Sequence, residues 1–299
     1  MERWPEKQAG LNQCSETDTI LAVWISQAMK IERSQWLAAG IALAFLLATA
    51  PASSQVAQVR HWSGQGVAPV FEGFDINPDG SFNLWFGYMN RNYEEELDVP
   101  VGRDNNFEPG GDRGQPTHFT VRRHKDVFRV QVPKDFGDQK LVWTLNAHGQ
   151  TAQVVATLNP VWQIDRLHTT RGGNSENISS NTPPVVSVEP AELTMPGPGS
   201  ATFNVSATDD GLPIVNGKSM GMTVLWSKYR GPGPVMFNAT SAKLADGKTT
   251  TVANFSEPGE YVLQAVVDDG SGEAAGNFGY HCCWTNVQIK VTVKKSGVR

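Results

Sequence analysis

Cysteine is scarce in this sequence, three residues in 299, too few for the disulfide framework on which small secreted domains rely. Charge is sparse as well: Asp, Glu, Lys and Arg make up 18%, and the formal net charge is −5. No Lys/Arg run or basic stripe occurs, which argues against nucleic acid as a partner. There is no G-x-S-x-G, H-E-x-x-H or P-loop pattern, so no stretch specifies a reaction. A sustained 3.6-residue apolar stripe is also missing, and with it the signature of a helical protein. What the chain has instead is Gly (29) and Pro (18), the composition of a turn-rich β-protein of this length divided into two globular domains.

The one long apolar run lies near the start. Met29-Lys30-Ile31-Glu32-Arg33 precedes "WLAAGIALAFLLATA" (36–50), which is followed by the small residues of "PASSQ". That is the order of a secretory signal peptide, and the run is shorter than the about 20 residues a spanning helix needs. The expected leader is residues 1–54: a misassigned extension, 1–28, and a signal peptide, 29–54, with translation beginning at Met29. The mature protein is then secreted, periplasmic or held at the cell surface. No membrane span is expected in it, and its only cysteines are Cys282 and Cys283.

Short strands follow. In "SFNLWFGYMN", Phe82, Leu84, Phe86 and Tyr88 fall on one face and Asn83, Trp85 and Gly87 on the other, the period of a strand. "DVFRVQV", "KLVWTLN" and "TAQVVATL" read the same way, the last two as a hairpin around Gly149. Residues 99–119, dense in Gly, Pro, Asn and Asp, read as loop. Residues 55–167 are thus expected to form one β-sandwich. The polar segment "HTTRGGNSENISSNTPP" (168–184) reads as a linker, and 185–299 as a second domain. Strands there are expected at 185–188, 202–208, 223–229, 234–237, 249–255, 260–269 and 285–293, in the manner of a Greek-key sandwich.

"DDGLP", "VLWSKYRGPGPVMF" and above all "SEPGEYVLQAVVDDGSG" resemble a PKD-type (polycystic kidney disease) immunoglobulin-like repeat over residues 183–294. The resemblance implies that Gly259 turns the chain into the sixth strand. It also implies that Tyr261 forms a tyrosine corner with its hydroxyl bonded back to backbone, and that Trp226 is the large core residue of the third strand. The inserts at 213–221 and 273–280 and the cysteine pair depart from that pattern. Residues 55–167 resemble, more loosely, immunoglobulin-like domains of bacterial exported proteins. The fold class expected is all-β: two antiparallel immunoglobulin-like sandwiches joined by a linker and preceded by a signal peptide.

Chemistry is harder to place. Adjacent Cys282 and Cys283 do not have zinc-ligand spacing; a reduced pair and a vicinal disulfide are both open, the latter closing almost no loop. In an immunoglobulin-type sandwich the loops after the second and sixth strands emerge at one end. Asp209, Asp210, Asp268 and Asp269 would meet there beside Phe278, Tyr280 and His281, a tentative ligand-binding tip. Calcium is the cation such carboxylates suit, and the alternative is that each Asp-Asp pair shapes its own turn. The run Glu94, Glu95, Glu96 and Asp98, with Asp104, Glu108 and Asp112 beyond, is either a solvated face or the acid pair of a hydrolase. His118 and His124 lie near them. Trp62, Trp85, Trp143 and Trp162 are either core or sugar-stacking platforms. The function expected is that of a secreted, non-catalytic binding or structural protein of the cell envelope or extracellular space, with an extracellular protein or glycan as partner. An exported hydrolase and a carbohydrate-binding accessory protein are the alternatives.

Overall fold

The computed structural model describes residues 60–164, 175–176, 181–212, 214–215, 217–271 and 283–295. By their contacts, residues 59–299 form a compact unit apart from residues 1–58. Residues 1–59, which include the expected leader, most of 165–180 and residues 272–282 lie outside the described residues.

Alternation builds the first sandwich. In chain order its strands are β1 (Val67–Ile76), β2 (Phe82–Asn90), β3 (Leu97–Asp98), β4 (Asn105–Glu108), β5 (His118–Phe119), β6 (Arg122–Val132), β7 (Leu141–Ala147) and β8 (Gln150–Ala156), followed by a 3-10 turn at Pro160–Trp162. The antiparallel sheet β1–β2–β6 packs on β4–β7–β8, and β3 pairs with β5 at the margin. Leu84, Phe86 and Tyr88 point inward from β2 while Trp85 is on its outer face, because successive residues of a strand face opposite sides. The interior is mostly aromatic. Phe107 stacks on Trp143 at 5.6 Å and Phe86 on Phe128 at 5.4 Å, geometries that add stabilisation to that of area burial alone.

One feature of this half departs from the sequence reading, and β1 was not singled out in it. β1 is a full strand although Pro69 and Gly73 interrupt its pattern; the pairing with β2 slips between Phe71 and Gly73, so a bulge absorbs the break. Residues 99–119, read as loop, contain β4 and β5. The segment is organised by fully buried Asn105 and Gln115. The Asn105 carboxamide donates to the carbonyls of Val99 and Pro116 and accepts from the indole N–H of Trp143.

The second half comprises β9 (Ser175–Glu176), β10 (Val185–Glu189), β11 (Glu192–Met195), β12 (Gly199–Thr208), β13 (Ile214–Val215), β14 (Lys218–Ser219), β15 (Thr223–Arg230), β16 (Val235–Phe237), β17 (Ser241–Lys243), β18 (Lys248–Phe255), β19 (Gly259–Asp268) and β20 (Trp284–Val293). Its two layers are β10–β12–β18–β16 and β11–β20–β19–β15–β17, and β14–β13–β9 is a small satellite sheet. All seven strands expected from the sequence are present. β11 was not expected: after Pro190 the chain crosses to the other layer and runs parallel to β20. The chain is all-β among the described residues, with two sandwiches and a core in each.

Trp226 is buried against Phe203 and Phe237. The Tyr261 hydroxyl donates to the Glu257 carbonyl at 2.8 Å, which locks the turn into β19. Gly231 makes room for this ring, because a Cβ there would lie 2.2 Å from Tyr261 Cδ1. Gly231→Ala is therefore expected to destabilise the protein by about 1–3 kcal/mol through overpacking. Urea unfolding with an unchanged midpoint would contradict that packing.

Candidate functional site

The sequence that forms β15 also makes the joint between the sandwiches. Along it Val224 and Trp226 alternate into their own core, but the pairing with β19 shifts between Lys228 and Arg230. A bulge of this kind re-aims a side chain. Tyr229, 3% exposed, consequently joins the core of the first sandwich rather than its own. Its hydroxyl donates to the Gly114 carbonyl, and its backbone carbonyl accepts from Thr117 N at 3.0 Å. Burial pushes the phenol pKa far up, so the hydroxyl stays a donor. Arg230 grips Asp112 with two guanidinium nitrogens at 2.8 and 3.0 Å, and its Nε donates to the Gln115 carbonyl at 2.7 Å. The loop that Asn105 organises thus presents Asp112, Gly114 and Gln115 to β15. Elsewhere along the joint, Gln264 donates to the Val127 carbonyl and Asn286 to that of Asp126.

Removing the ring should leave a hole in one sandwich and loosen the other. Tyr229→Ala is expected to cost about 3–5 kcal/mol and to separate one urea transition into two. A variant that unfolds like its parent would show that the ring does not couple the halves.

Beside Tyr229 sits a charged cluster. His118 on β5 holds Asp98 Oδ1 at 2.9 Å through Nδ1 and Glu96 Oε2 at 3.1 Å through Nε2. Two acceptors on one imidazole are both satisfied only by the imidazolium. Asp98 also receives the ammonium of Lys228 at 2.9 Å, and Lys228 donates to the Gly233 carbonyl. One carboxylate therefore ties a histidine of the first sandwich to a lysine of the second. Burial disfavours the imidazolium, yet the two carboxylates outweigh it together with the repulsion from Lys228, and the His118 pKa is raised. The bond from His118 lowers Glu96. Burial works upward on Asp98, but the bonds from His118 and Lys228 bring it down.

A pH profile follows from these directions. A histidine raised above its ordinary 6.5 contributes stability that is complete below that pH and lost as pH rises through the folded value. The lowered carboxylates contribute above their ordinary range and lose it as pH falls through their folded values. The melting temperature is expected to peak at mildly acidic pH and decline on the alkaline side of 6.5. His118→Gln should flatten that alkaline decline; its persistence in the variant would remove His118 as the cause.

The other expected site residues divide clearly. Glu95 accepts from Gly64 N and pairs with His148, Asp104 accepts from Asn146, and Asp112 holds Arg230. With Glu96 and Asp98 on His118, these five carboxylates serve as structural ties. His124 stacks on Tyr88 at 4.9 Å and bonds Thr120 Oγ1 at 2.8 Å; burial lowers its pKa. Trp143 is core, Trp62 and Trp162 are exposed, and Trp85 is half-buried.

Asp209, Asp210, Asp268 and Asp269 each accept from the backbone amide two residues on, those of Gly211, Leu212, Gly270 and Ser271, the bond by which Asp shapes a turn. Asp210 also holds Thr182, and Asp269 holds Asn181 and Ser271 Oγ. The two pairs do come near one another. Burial and then the charges of Asp269 and Asp210 raise Asp209, and burial followed by Asp210 among its neighbours raises Asp269. Among the described residues, however, no group of three or more His, Cys, Asp or Glu is placed to hold a metal ion. Millimolar calcium is expected to raise the melting temperature by several degrees if the four aspartates gather a cation, and an unchanged melt would leave the turns as their role.

Cys283 is fully buried and disulfide-bonded, and its amide donates to Ser271 Oγ. Cys282, the neighbour proposed to pair with it, lies outside the described residues, as do Phe278, Tyr280 and His281. Sequence reasoning missed Lys228, Tyr229 and Arg230; the one signal, three bulky residues ending an alternating strand, does not say what they meet.

Two clefts flank the joint. One, of about 600 Å³, is bordered by Tyr88, Glu96, His118, His124, Lys228 and Gln264 among others. The other, of about 710 Å³, runs between Trp85 and Arg129 of the first sandwich and Trp284, Asn286 and Gln288 of the second.

No helix among the described residues is long and apolar enough to cross a membrane. No family model matches the sequence, and no curated protein matches it. Solved structures similar to it include WR4, an MSP family member of C. elegans, at 12% identity and TM-score 0.27, covering 36% of this chain and 96% of that one. Domains 1–6 of the surface layer protein SbsC are 13% identical with TM-score 0.26, covering 78% of this chain and 28% of that one. A protein of unknown function from Porphyromonas gingivalis W83 is 10% identical with TM-score 0.24, covering 76% and 99%. Likenesses at these TM-scores add nothing to the strand pairing described above.

Proposed function

We propose that this chain acts outside the cytoplasm as a non-catalytic binding or structural module. In this reading the leader 1–54 is removed, 55–167 and 185–299 are the working domains, and a Cys282–Cys283 bridge braces the return of the last loop into β20. The observation that carries it is the joint. The carboxylates and histidine that a hydrolase would need free are engaged: Glu96 and Asp98 with His118, Asp98 and Asp112 with Lys228 and Arg230 of β15, and Glu95 with Gly64 and His148 within the first sandwich. What they support is a fixed relation between two sandwiches, which suits a spacer or a presenting surface. A second reading, a carbohydrate-binding accessory role, is favoured by the groove between Trp85 and Trp284.

Expression with the native leader in an exporting bacterial host is expected to give a protein whose N-terminus lies near Gln55. The purified form should release no product from polysaccharide or peptide substrates. Retention in the cytoplasm or measurable turnover would overturn the proposal.

A further inference from the structure

Outer faces of two sheets, one from each sandwich, form the larger groove. On the first sandwich the pairing sets Asp75 opposite Asn83, and Trp85 opposite Arg129. These side chains are fixed before anything binds. The Trp85 indole N–H donates to Asp75 Oδ2 at 2.9 Å, Asn83 Nδ2 to Asp75 Oδ1 at 2.8 Å and to Asn77 Oδ1 at 2.7 Å, and the Arg129 guanidinium lies 5.6 Å from the Trp85 ring centroid. From the second sandwich, Trp284, Asn286 and Gln288 project from alternate positions of β20 and so share its outer face. Asn286 is held by the bonds from its Nδ2 to the carbonyls of Asp126 and Val127. Its Oδ1 is buried and has no hydrogen-bond partner among the described residues.

The chemistry of the walls selects a class of ligand. One carboxylate and one guanidinium balance in charge, so the groove favours neither anions nor cations. Asn77 and Asn83 are engaged with each other, with Ser81 and with Asp75, whereas the exposed Gln288 carboxamide offers both donor and acceptor, which matches hydroxyls that are donor and acceptor at once. Two indoles supply apolar surface with a polar edge, suited to the C–H faces of a sugar ring. The volume, about 710 Å³, falls in the range of small-ligand sites. Side chains already locked by mutual hydrogen bonds lose little freedom on binding.

We propose that the groove between Trp85 and Trp284 binds a neutral oligosaccharide, with the indoles as apolar contacts and the exposed Gln288 carboxamide as hydrogen-bond partner for a ring hydroxyl. The proposal rests on the binding branch of the reading above and gives it a ligand class and an address.

The test uses the exported chain and tetrasaccharides of glucose, mannose and N-acetylglucosamine, with tryptophan fluorescence and calorimetry as readouts. At least one neutral tetrasaccharide is expected to bind and to shift the fluorescence. Trp284→Ala, at a half-exposed position that should not disturb folding, is expected to weaken binding about tenfold or more through the lost apolar contact. Gln288→Ala, at an exposed position of β20, should weaken it as well by removing the carboxamide. Trp62→Ala, an exposed indole remote from the groove walls, should bind like the parent. Unchanged melting temperatures establish that each variant is folded. Binding by none of the three sugars, or by an acidic oligosaccharide alone, would overturn the groove assignment, as would affinity unaffected by Trp284→Ala. Chromatography of the same mixtures separates the two proposals: shortened sugars would overturn the non-catalytic reading while leaving the groove in place.

Discussion

The two sandwiches are held in one arrangement by a ring that belongs, by sequence, to the wrong core. Tyr229 leaves β15 at a bulge and completes the interior of the first sandwich, so the first half is not fully packed without the second. Packing of this kind tolerates little displacement, because interiors are as dense as organic crystals. The polar contacts around it then act on a fixed geometry. Arg230 meets Asp112 with two nitrogens and Lys228 reaches Asp98, and such pairs contribute more when the backbone already holds the partners in place than as isolated surface contacts. Even the charge state of His118 depends on this, since Lys228 shares the carboxylate that His118 holds.

Much of the fold could be read in the sequence where the physics is local. In β2 and in the seven strands of the second sandwich, period-2 alternation and turn residues mark the elements, and Trp226 and Tyr261 occupy the roles that the immunoglobulin-like resemblance implies. Where a rule was broken locally and repaired at a distance, the reading failed. Residues 99–119 look like open loop until Asn105 finds Trp143. β11 escaped because a short strand parallel to a distant one has no hairpin to announce it. The joint was illegible for the same reason: Asp112 and Arg230, like Asp98 and Lys228, are separated by more than a hundred residues, and no pattern in either stretch points to the other.

The acidic residues illustrate how composition and geometry divide the work. Placing Asp209, Asp210 and Asp269 near one another at one end of the second sandwich was within reach of topology, and their mutual influence follows. Whether they gather a cation or shape turns depends on where backbone amides point, and in each of the four Asp residues one oxygen receives the amide two residues on. Likewise the carboxylates of 95–112 are defined by what receives them: a histidine, a lysine, an arginine and an asparagine.

The parallel pairing of β11 with β20 has a mechanical meaning. Glu192–Met195 lies in register beside Lys290–Val293, both running the same way. Tension along the chain enters the second sandwich on the side of β10 and β11 and leaves through β20, so these two strands are drawn past one another lengthwise. Their hydrogen bonds are then loaded together rather than opened one at a time, and resistance to sliding is shared across the whole patch. A hairpin pulled from its open end would instead unzip bond by bond. Under a load applied in this way, the parallel register makes the pair resist as a patch.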